Sequence, residues 1–184
     1  LFLERFKRIG IPLLFGGIAI VPLHQFLIQN YYDGELSYLP SMGHLWFLGN
    51  ILVYVILLSP IFYFLKNRSE NRVVQFIKKY SNNLISLVVV IILFIAEAFI
   101  IRPAIYEMYA YTLHGFILGL LAFVSGYLFM WCGDDFWKML LKWRWTFLSI
   151  ATILFFVRSE QLISQINHFL LVIESNCWIF SIFG

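Results

Sequence analysis

Long apolar runs recur along the whole chain and restrict what it can fold into. A helix rises about 1.5 Å per residue, so about 20 mostly apolar residues cross a hydrocarbon core about 30 Å thick. These runs predict membrane spans near residues 9–28, 44–65, 84–101, 112–131, 145–157 and 166–184. The fifth of these spans is the shortest. We therefore predict an all-α, polytopic transmembrane helical bundle of about six spans, forming a single domain over residues 1–184.

Composition supports a membrane environment and excludes some partners. Of the 184 residues, 61% are hydrophobic and only 12% are charged, whereas soluble domains carry roughly 25% charged residues. A soluble globule of this length could not bury so much apolar surface, so the excess is expected to face the lipid bilayer. The net charge of +3 is small and dispersed, which argues against nucleic acid as a partner. The two cysteines support neither a disulfide framework nor a metal site.

Basic residues mark alternate connections between the predicted spans. Of the 13 Lys and Arg residues, all except Arg102 and Arg158 precede the first span or lie in the second and fourth connections. Cytoplasmic connections are enriched in Lys and Arg, so this distribution predicts a cytoplasmic N-terminus. An even number of spans then returns the C-terminus of the segment to the cytoplasm.

Four histidines are candidates for proton transfer. His24, His44, His114 and His168 each lie near the predicted outer end of a different span, so they are expected to share one layer of the membrane. A histidine with a pKa near its usual value of about 6.5 can take a proton from a hydroxyl at neutral pH. The alternative is that each imidazole sits at the membrane interface or bonds a backbone carbonyl.

Two carboxylates inside the spans are candidates for an acceptor-side or structural role. Glu97 and Glu174 must each pair, reach water or become neutral at membrane depth. Arg102 is one possible partner for Glu97 or for an anionic acyl group, and snorkelling of its side chain to the interface is the favoured alternative. Glu174 shares a helical face with Asn167 and Trp178, and this face is expected to point into the bundle. A helix-helix hydrogen bond is the structural alternative.

Two further groups of residues are candidates for ligand binding. Arg5 and Arg8 are three residues apart before the first span, where two guanidinium groups can bind phosphate. Basic residues that only set the topology are the alternative. His44 and Trp46 open the second span after a loop with aromatic and acidic residues, which can contact a sugar or form an interfacial belt.

The order of these motifs resembles a known family. Residues 5–12 (RFKRIGIP), then a span and an outer loop, then residues 43–48 (GHLWFL) resemble the membrane acyltransferase 3 family. The likeness is greatest to its glucan-modifying branch, the succinyltransferases of osmoregulated periplasmic glucans. Residues 114–123 (HGFILGLLAF) and the segment from Glu174 onward resemble later helices of that branch, in the expected order.

The resemblance implies an O-acyltransferase in a bacterial inner membrane. Such an enzyme passes an acyl group, acetyl or succinyl, from cytoplasmic acyl-CoA to a hydroxyl of an extracytoplasmic polysaccharide or glucan. Acyl-CoA is then a donor substrate, and no permanently bound cofactor or metal is expected. Arg5 and Arg8 match the RxxR motif of the family, which implies a role at the phosphates of the donor. His44 matches its HLWFL position, which implies a structural or acceptor-side role.

The chain also departs from the family pattern. The histidine regarded as the family's catalytic base precedes RxxR, and the family's bundle continues beyond the position of Gly184. The segment is therefore expected to be part of such an enzyme, with no catalytic residue assigned within it and no activity required of it alone. Two alternatives are a lipid or sugar transporter or flippase-like carrier, with Glu97, Glu174 and the histidines as a path, and a non-catalytic remnant.

Overall fold

A computed structural model describes residues 2–32, 34, 36–67, 72–81, 83–159 and 168–184. Its helices are α1 (Phe2–Phe15), a π-helical segment (Gly16–Ile20), α2 (Val21–Tyr31), a 3₁₀ turn (Gly43–Leu45), α3 (Trp46–Asn67), α4 (Arg72–Ser81), α5 (Leu84–Ile101), α6 (Leu113–Cys132), α7 (Asp134–Ser159) and α8 (His168–Phe183). The described residues contain no strand. The prediction of an all-α membrane bundle is confirmed.

Five of the described stretches are long and apolar enough to cross a membrane. They are Phe6–Tyr31, Gly43–Leu65, Leu84–Ile101, Leu113–Cys132 and Asp134–Ser159. The sixth apolar helix, α8, has 16 residues and so extends about 24 Å, less than the usual core thickness. Residues 166 and 167, with which the predicted sixth span begins, lie outside the described residues.

The helix that contains the predicted fifth span, near residues 145–157, is longer than that span. Helix α7 has 26 residues and begins at Asp134, so the basic residues assigned to the fourth connection lie on its first half. The charged side chains interrupt the apolar run from which the span was predicted. They do not interrupt the helix, because the helix propensities of Lys and Arg are close to that of Leu. Asp134 and Asp135 in the first turn also stabilise the positive end of the helix dipole. The second connection likewise contains a helix, α4.

The described chain divides into two compact units. The first contains residues 1–66 and 110–112, and the second contains residues 67–109 and 113–184. The prediction of a single domain stays a prediction. In the second unit α7 packs along α8, and α5 packs against α6 and α8. Its core includes the fully buried side chains Leu87, Phe136, Leu140, Ala151 and Val172.

In the first unit the helical ladder is interrupted between α1 and α2. The Val21 N–H donates to the Gly16 carbonyl, one residue further back than in an α-helix, so the Gly17 carbonyl loses its usual donor. Pro22 has no N–H, and therefore the Ile18 carbonyl also lacks its α-helical donor. Two adjacent carbonyl groups thus need partners from outside the ladder.

The strap, which we define as residues 36–42, supplies these partners. The Ser41 N–H donates to the Gly17 carbonyl at 3.1 Å, and the Tyr38 hydroxyl donates to the Ile18 carbonyl at 2.9 Å. The strap follows α2, which ends at Tyr31, 14 residues after Gly17. To reach the Gly17 carbonyl, the chain therefore runs back roughly 20 Å along the helix. Non-helical backbone beside a spanning helix is tolerated where protein groups satisfy it in this way.

The strap interaction gives a first prediction. Tyr38→Phe removes the hydroxyl and is expected to lower stability by about 1 kcal/mol, the usual net value of a hydrogen bond. In a Pro22→Ala background the effect is expected to shrink by more than half, because the N–H of the new alanine can bond the Ile18 carbonyl. Thermal unfolding of the single and double variants in detergent measures this coupling. Equal losses in both backgrounds would contradict the assignment.

Candidate functional site

A buried acid and imidazole pair lies at one end of the second unit. The Glu97 side chain, near the end of α5, approaches His114 in the first turn of α6, with Glu97 Oε1 and His114 Nδ1 2.8 Å apart. The other ring nitrogen, Nε2, lies 3.0 Å from the backbone carbonyl oxygen of Tyr106 in the intervening loop. Glu97 is 4% exposed and His114 is 2% exposed. The pair is therefore shielded from solvent.

The geometry indicates how many protons this pair holds. The Tyr106 carbonyl has no proton to donate, so His114 Nε2 must carry one and donate it. A second proton lies between Nδ1 and Glu97 Oε1, because two lone pairs would repel each other at 2.8 Å. The pair is either an imidazolium with a carboxylate or a neutral imidazole with a carboxylic acid. Its net charge is zero in both forms, as burial favours.

One atom of the pair has no partner. Glu97 Oε2 is buried, and the described residues offer it no hydrogen bond. It is an acceptor in both protonation forms, and a buried acceptor without a partner costs about 1–3 kcal/mol. Such atoms are rare in folded proteins and call for a water or a ligand group. Oε2 is therefore the one open acceptor of this pair.

Two aromatic rings from the loop pack against the His114 ring. The Tyr106 ring centroid lies 4.9 Å from the imidazole, and the Tyr109 ring stacks on it at 5.5 Å. Burial raises the pKa of both phenols above their usual value, so both hydroxyls stay neutral at physiological pH. The ring of His168, the first residue of α8, forms a T-shaped contact with the Tyr106 ring, with the ring centroids 5.9 Å apart. Tyr106 thus joins the predicted candidates His114 and His168.

A glycine allows the loop to lie directly on α6. A Cβ at Gly115 would come within 2.8 Å of the Tyr109 Cα and 2.7 Å of its carbonyl carbon. A side chain at position 115 would therefore meet backbone that cannot rotate away. Because Gly115 has no Cβ, the loop can lie close enough to α6 for the Tyr106 carbonyl to reach His114.

A second buried carboxylate is paired with an arginine. Arg158, in the last turn of α7, donates from Nε to Glu174 Oε2 at 3.0 Å and from Nη2 to Oε1 at 2.9 Å. Glu174 is 5% exposed, as expected for a helical face that points into the bundle. The two parallel bonds satisfy both carboxylate oxygens. This pair links α7 to α8 and presents no open acceptor. Asn167, predicted on the same face, lies outside the described residues.

Arg102, one possible partner considered for Glu97, does not pair with it. Arg102 is exposed, donates from Nε to the Phe99 carbonyl and lies over the Phe99 ring. Glu97 instead pairs with His114 across the loop. Arg102 caps α5 in a left-handed conformation with φ of 49°, which directs the chain away from the helix axis.

The predicted donor residues lie on the first helix. Arg8 is exposed on α1, and Arg5 precedes it by almost one turn of the same helix, although the Arg5 side chain lies outside the described part. His24, on α2, and His44, in the 3₁₀ turn, are both exposed. The predicted layer of four histidines stays a prediction.

The 3₁₀ turn that carries His44 is held by close contacts in the first unit. The Tyr111 hydroxyl donates to the Gly43 carbonyl at 2.8 Å, and the Trp46 ring lies 6.4 Å from the Tyr111 ring. The Leu45 side chain fills the space left by Gly16 in the π-helical segment. The GHLW motif therefore packs on the helix that follows the RxxR motif.

The second unit also contains a largely apolar cavity of about 390 Å³ between α5, α6, α7 and α8. Small residues of α6, Ala122, Ser125 and Gly126, form one wall, and Asn176 of α8 adds a polar group. Among the described residues, no cluster of three or more His, Cys, Asp or Glu side chains is placed to hold a metal ion.

Comparisons of the chain with protein-family models, with curated proteins and with solved structures find no match. The sequence alone did not indicate Tyr106, Tyr109 or Gly115 as part of the site. The one available signal was the position of Gly115 directly after a histidine at a predicted helix start.

Proposed function

We propose that this chain is part of a membrane O-acyltransferase. The reaction transfers an acyl group, acetyl or succinyl, from cytoplasmic acyl-CoA to a hydroxyl of an extracytoplasmic polysaccharide or glucan. The resemblance of residues 5–12 and 43–48 to the acyltransferase 3 family supports the choice of donor and acceptor. We place the protein in a bacterial inner membrane, with both termini of the segment in the cytoplasm, because basic residues alternate between its connections.

The observation that carries the proposal is the position of the two arginines. They lie three residues apart on a continuous helix at the beginning of a spanning stretch, and Arg8 is exposed. Residues at this spacing project from the same side of a helix. A pair of guanidinium groups at a membrane surface suits the phosphates of CoA, since each can form two parallel bonds to phosphate oxygens.

The structure offers less support to a carrier. In that hypothesis Glu97 and Glu174 form a path for protons or substrate. Glu174 has both carboxylate oxygens bonded to Arg158, and Glu97 has one bonded to His114. Charged pairs of this kind hold helices together and leave only one open acceptor between them.

The donor site is tested by removing the two guanidinium groups. Arg5→Ala combined with Arg8→Ala in the full-length protein is expected to weaken CoA binding at least about tenfold, because each lost charge-assisted bond is worth about 1.5–3 kcal/mol. Binding of CoA to protein in liposomes, measured by equilibrium dialysis, checks this. Acylation of the glucan is expected to fall in parallel.

The matched control removes the same amount of charge elsewhere. Lys138 and Lys142 are exposed on α7, so Lys138→Ala with Lys142→Ala keeps the net charge equal to that of the arginine variant. We expect CoA binding by this control to stay near that of the unsubstituted protein. Equal binding by both double variants would contradict a donor site at Arg5 and Arg8.

A further inference from the structure

We propose that α4 binds the surface of a lipid leaflet that contains anionic phospholipids. This inference concerns the attachment of the chain to its own membrane and does not depend on the proposed acyltransferase. It is carried by exposed cations and exposed aromatic rings that lie side by side on this short helix, next to a membrane span. The partner is the headgroup region of the leaflet, with its phosphates and the first part of its acyl chains.

Helix α4 lies at the level of the membrane surface because it is joined closely to α5. Helix α5 has 18 residues and so extends about 27 Å, close to the thickness of the hydrocarbon core. Its first residue, Leu84, is therefore near one boundary of that core. Only two residues separate Leu84 from Ser81, the last residue of α4. The Asn83 side chain also donates to the Lys79 carbonyl at 3.2 Å, which holds the end of α4 beside the span.

The charge of α4 is entirely positive. Residues 72–81 contain one arginine, two lysines and no acidic residue. The side chains of Arg72 and Lys79 are exposed, and the ion pairs found among the described residues include neither of them. Each Lys or Arg held near an anionic surface strengthens attachment about fivefold, because the negative surface potential attracts it. The charge of α4 therefore favours anionic lipid over zwitterionic lipid.

Two aromatic rings on α4 are exposed as well. Phe76 is 60% exposed and Tyr80 is 45% exposed, and their ring centroids lie 4.3 Å apart. Arg72, Phe76 and Tyr80 follow one another at steps of four residues, so the two rings form a stripe that begins at a cation. Aromatic rings favour the headgroup region, and helices that lie in this region combine cations with apolar and aromatic side chains. On such a surface the rings enter the lipid while the cations meet its phosphates.

The position of α4 is tested with spin labels on the full-length chain in vesicles of phosphatidylglycerol and phosphatidylcholine. Phe76→Cys or Gln75→Cys is introduced into a background of Cys132→Ala with Cys177→Ala. We expect the label at position 76 to collide more often with oxygen, which dissolves in lipid, than with a water-soluble nickel complex. Gln75 is exposed and lies four residues before Lys79, so the label at position 75 is expected to show the reverse.

The charge dependence is tested by changing the lipid or the cations. In phosphatidylcholine alone, or with Arg72→Gln, Lys78→Gln and Lys79→Gln combined, the label at position 76 is expected to move toward water. A label introduced by Val88→Cys is the matched control, because Val88 is exposed within the span α5 and is expected to stay in the lipid in every case.

Three outcomes would overturn the proposal. The first is equal accessibility of the labels at positions 75 and 76 to the two reagents. The second is a label at position 76 that stays at the same depth in phosphatidylcholine alone. The third is a label at position 76 that is shielded from both reagents, which would show that a protein covers this side of α4.

Hydrogen exchange of the unsubstituted protein provides a second readout if the cysteine variants do not fold. Amides of residues 72–81 are expected to exchange at least about fivefold more slowly in vesicles that contain phosphatidylglycerol than in phosphatidylcholine alone. Residues 84–101 are the internal reference, and their exchange is expected to stay the same. Equal exchange of residues 72–81 in the two lipids would overturn the proposal.

Discussion

Gly115→Ala is expected to destabilise the second unit by about 3 kcal/mol, at the upper end of the range for overpacking. The added Cβ would lie 2.8 Å from the Tyr109 Cα and 2.7 Å from its carbonyl carbon, and this backbone has no rotamer to change. The loop must shift away from α6, which lengthens the bond from His114 to the Tyr106 carbonyl. Thermal unfolding in detergent gives the loss of stability, and the infrared band of the Glu97 carboxyl group reports the altered bonding of His114.

The matched control lies on the same helix. A Cβ at Gly126 meets no atom within 4 Å, so Gly126→Ala introduces the same methyl group without a clash. We expect Gly126→Ala to leave the midpoint of thermal unfolding unchanged or to raise stability by about 0.5–1 kcal/mol, because alanine is more stable than glycine inside a helix. A similar loss in both variants would contradict the close approach of the loop to Gly115.

Arg158→Met is expected to lower stability by about 2 kcal/mol, because it leaves the buried carboxylate of Glu174 without its partner, although Arg158 itself is 36% exposed. Glu174 is 5% exposed, and both of its oxygens are bonded to Arg158. Adding Glu174→Met is expected to restore much of the loss, since a buried pair can often be replaced by apolar side chains of similar volume. The unfolding midpoints of the two single variants and the double variant measure the coupling.

An exposed pair on the same helix provides the comparison. Lys138 and Asp135 lie 3.6 Å apart, and their side chains are 76% and 75% exposed. Lys138→Met is expected to change stability by less than about 1 kcal/mol, as is usual for solvated ion pairs. Equal effects of Arg158→Met and Lys138→Met would show that the buried pair does not hold α7 to α8.

The fold class and most of the spans could be predicted because length and apolarity are local properties of the sequence. The start of α7 could not be predicted from these properties. The charges of Lys138, Lys142 and Arg144 interrupt the apolar run but do not interrupt the helix. The π-helical segment before Pro22 could not be predicted, because its freed carbonyls are bonded by the strap, about 20 residues later in the sequence.

The candidate site could be predicted only in part. Glu97, His114 and Glu174 stand out because ionisable groups are costly inside a span. Their partners could not be assigned, because the loop conformation after α5 decides that Glu97 faces His114 and not Arg102. The role of Gly115 is a contact with backbone six residues earlier, which no periodicity of the sequence reveals.

The most direct test of the proposed acyltransferase is the appearance of the product. The full-length protein in liposomes is incubated with isotopically labelled acetyl-CoA or succinyl-CoA and a glucan oligosaccharide, and the glucan is analysed by mass spectrometry. We predict a labelled ester on the glucan with the unsubstituted protein and its loss in the variant that lacks both Arg5 and Arg8. Folded protein that binds CoA and glucan but forms no labelled ester with either donor would contradict the proposal.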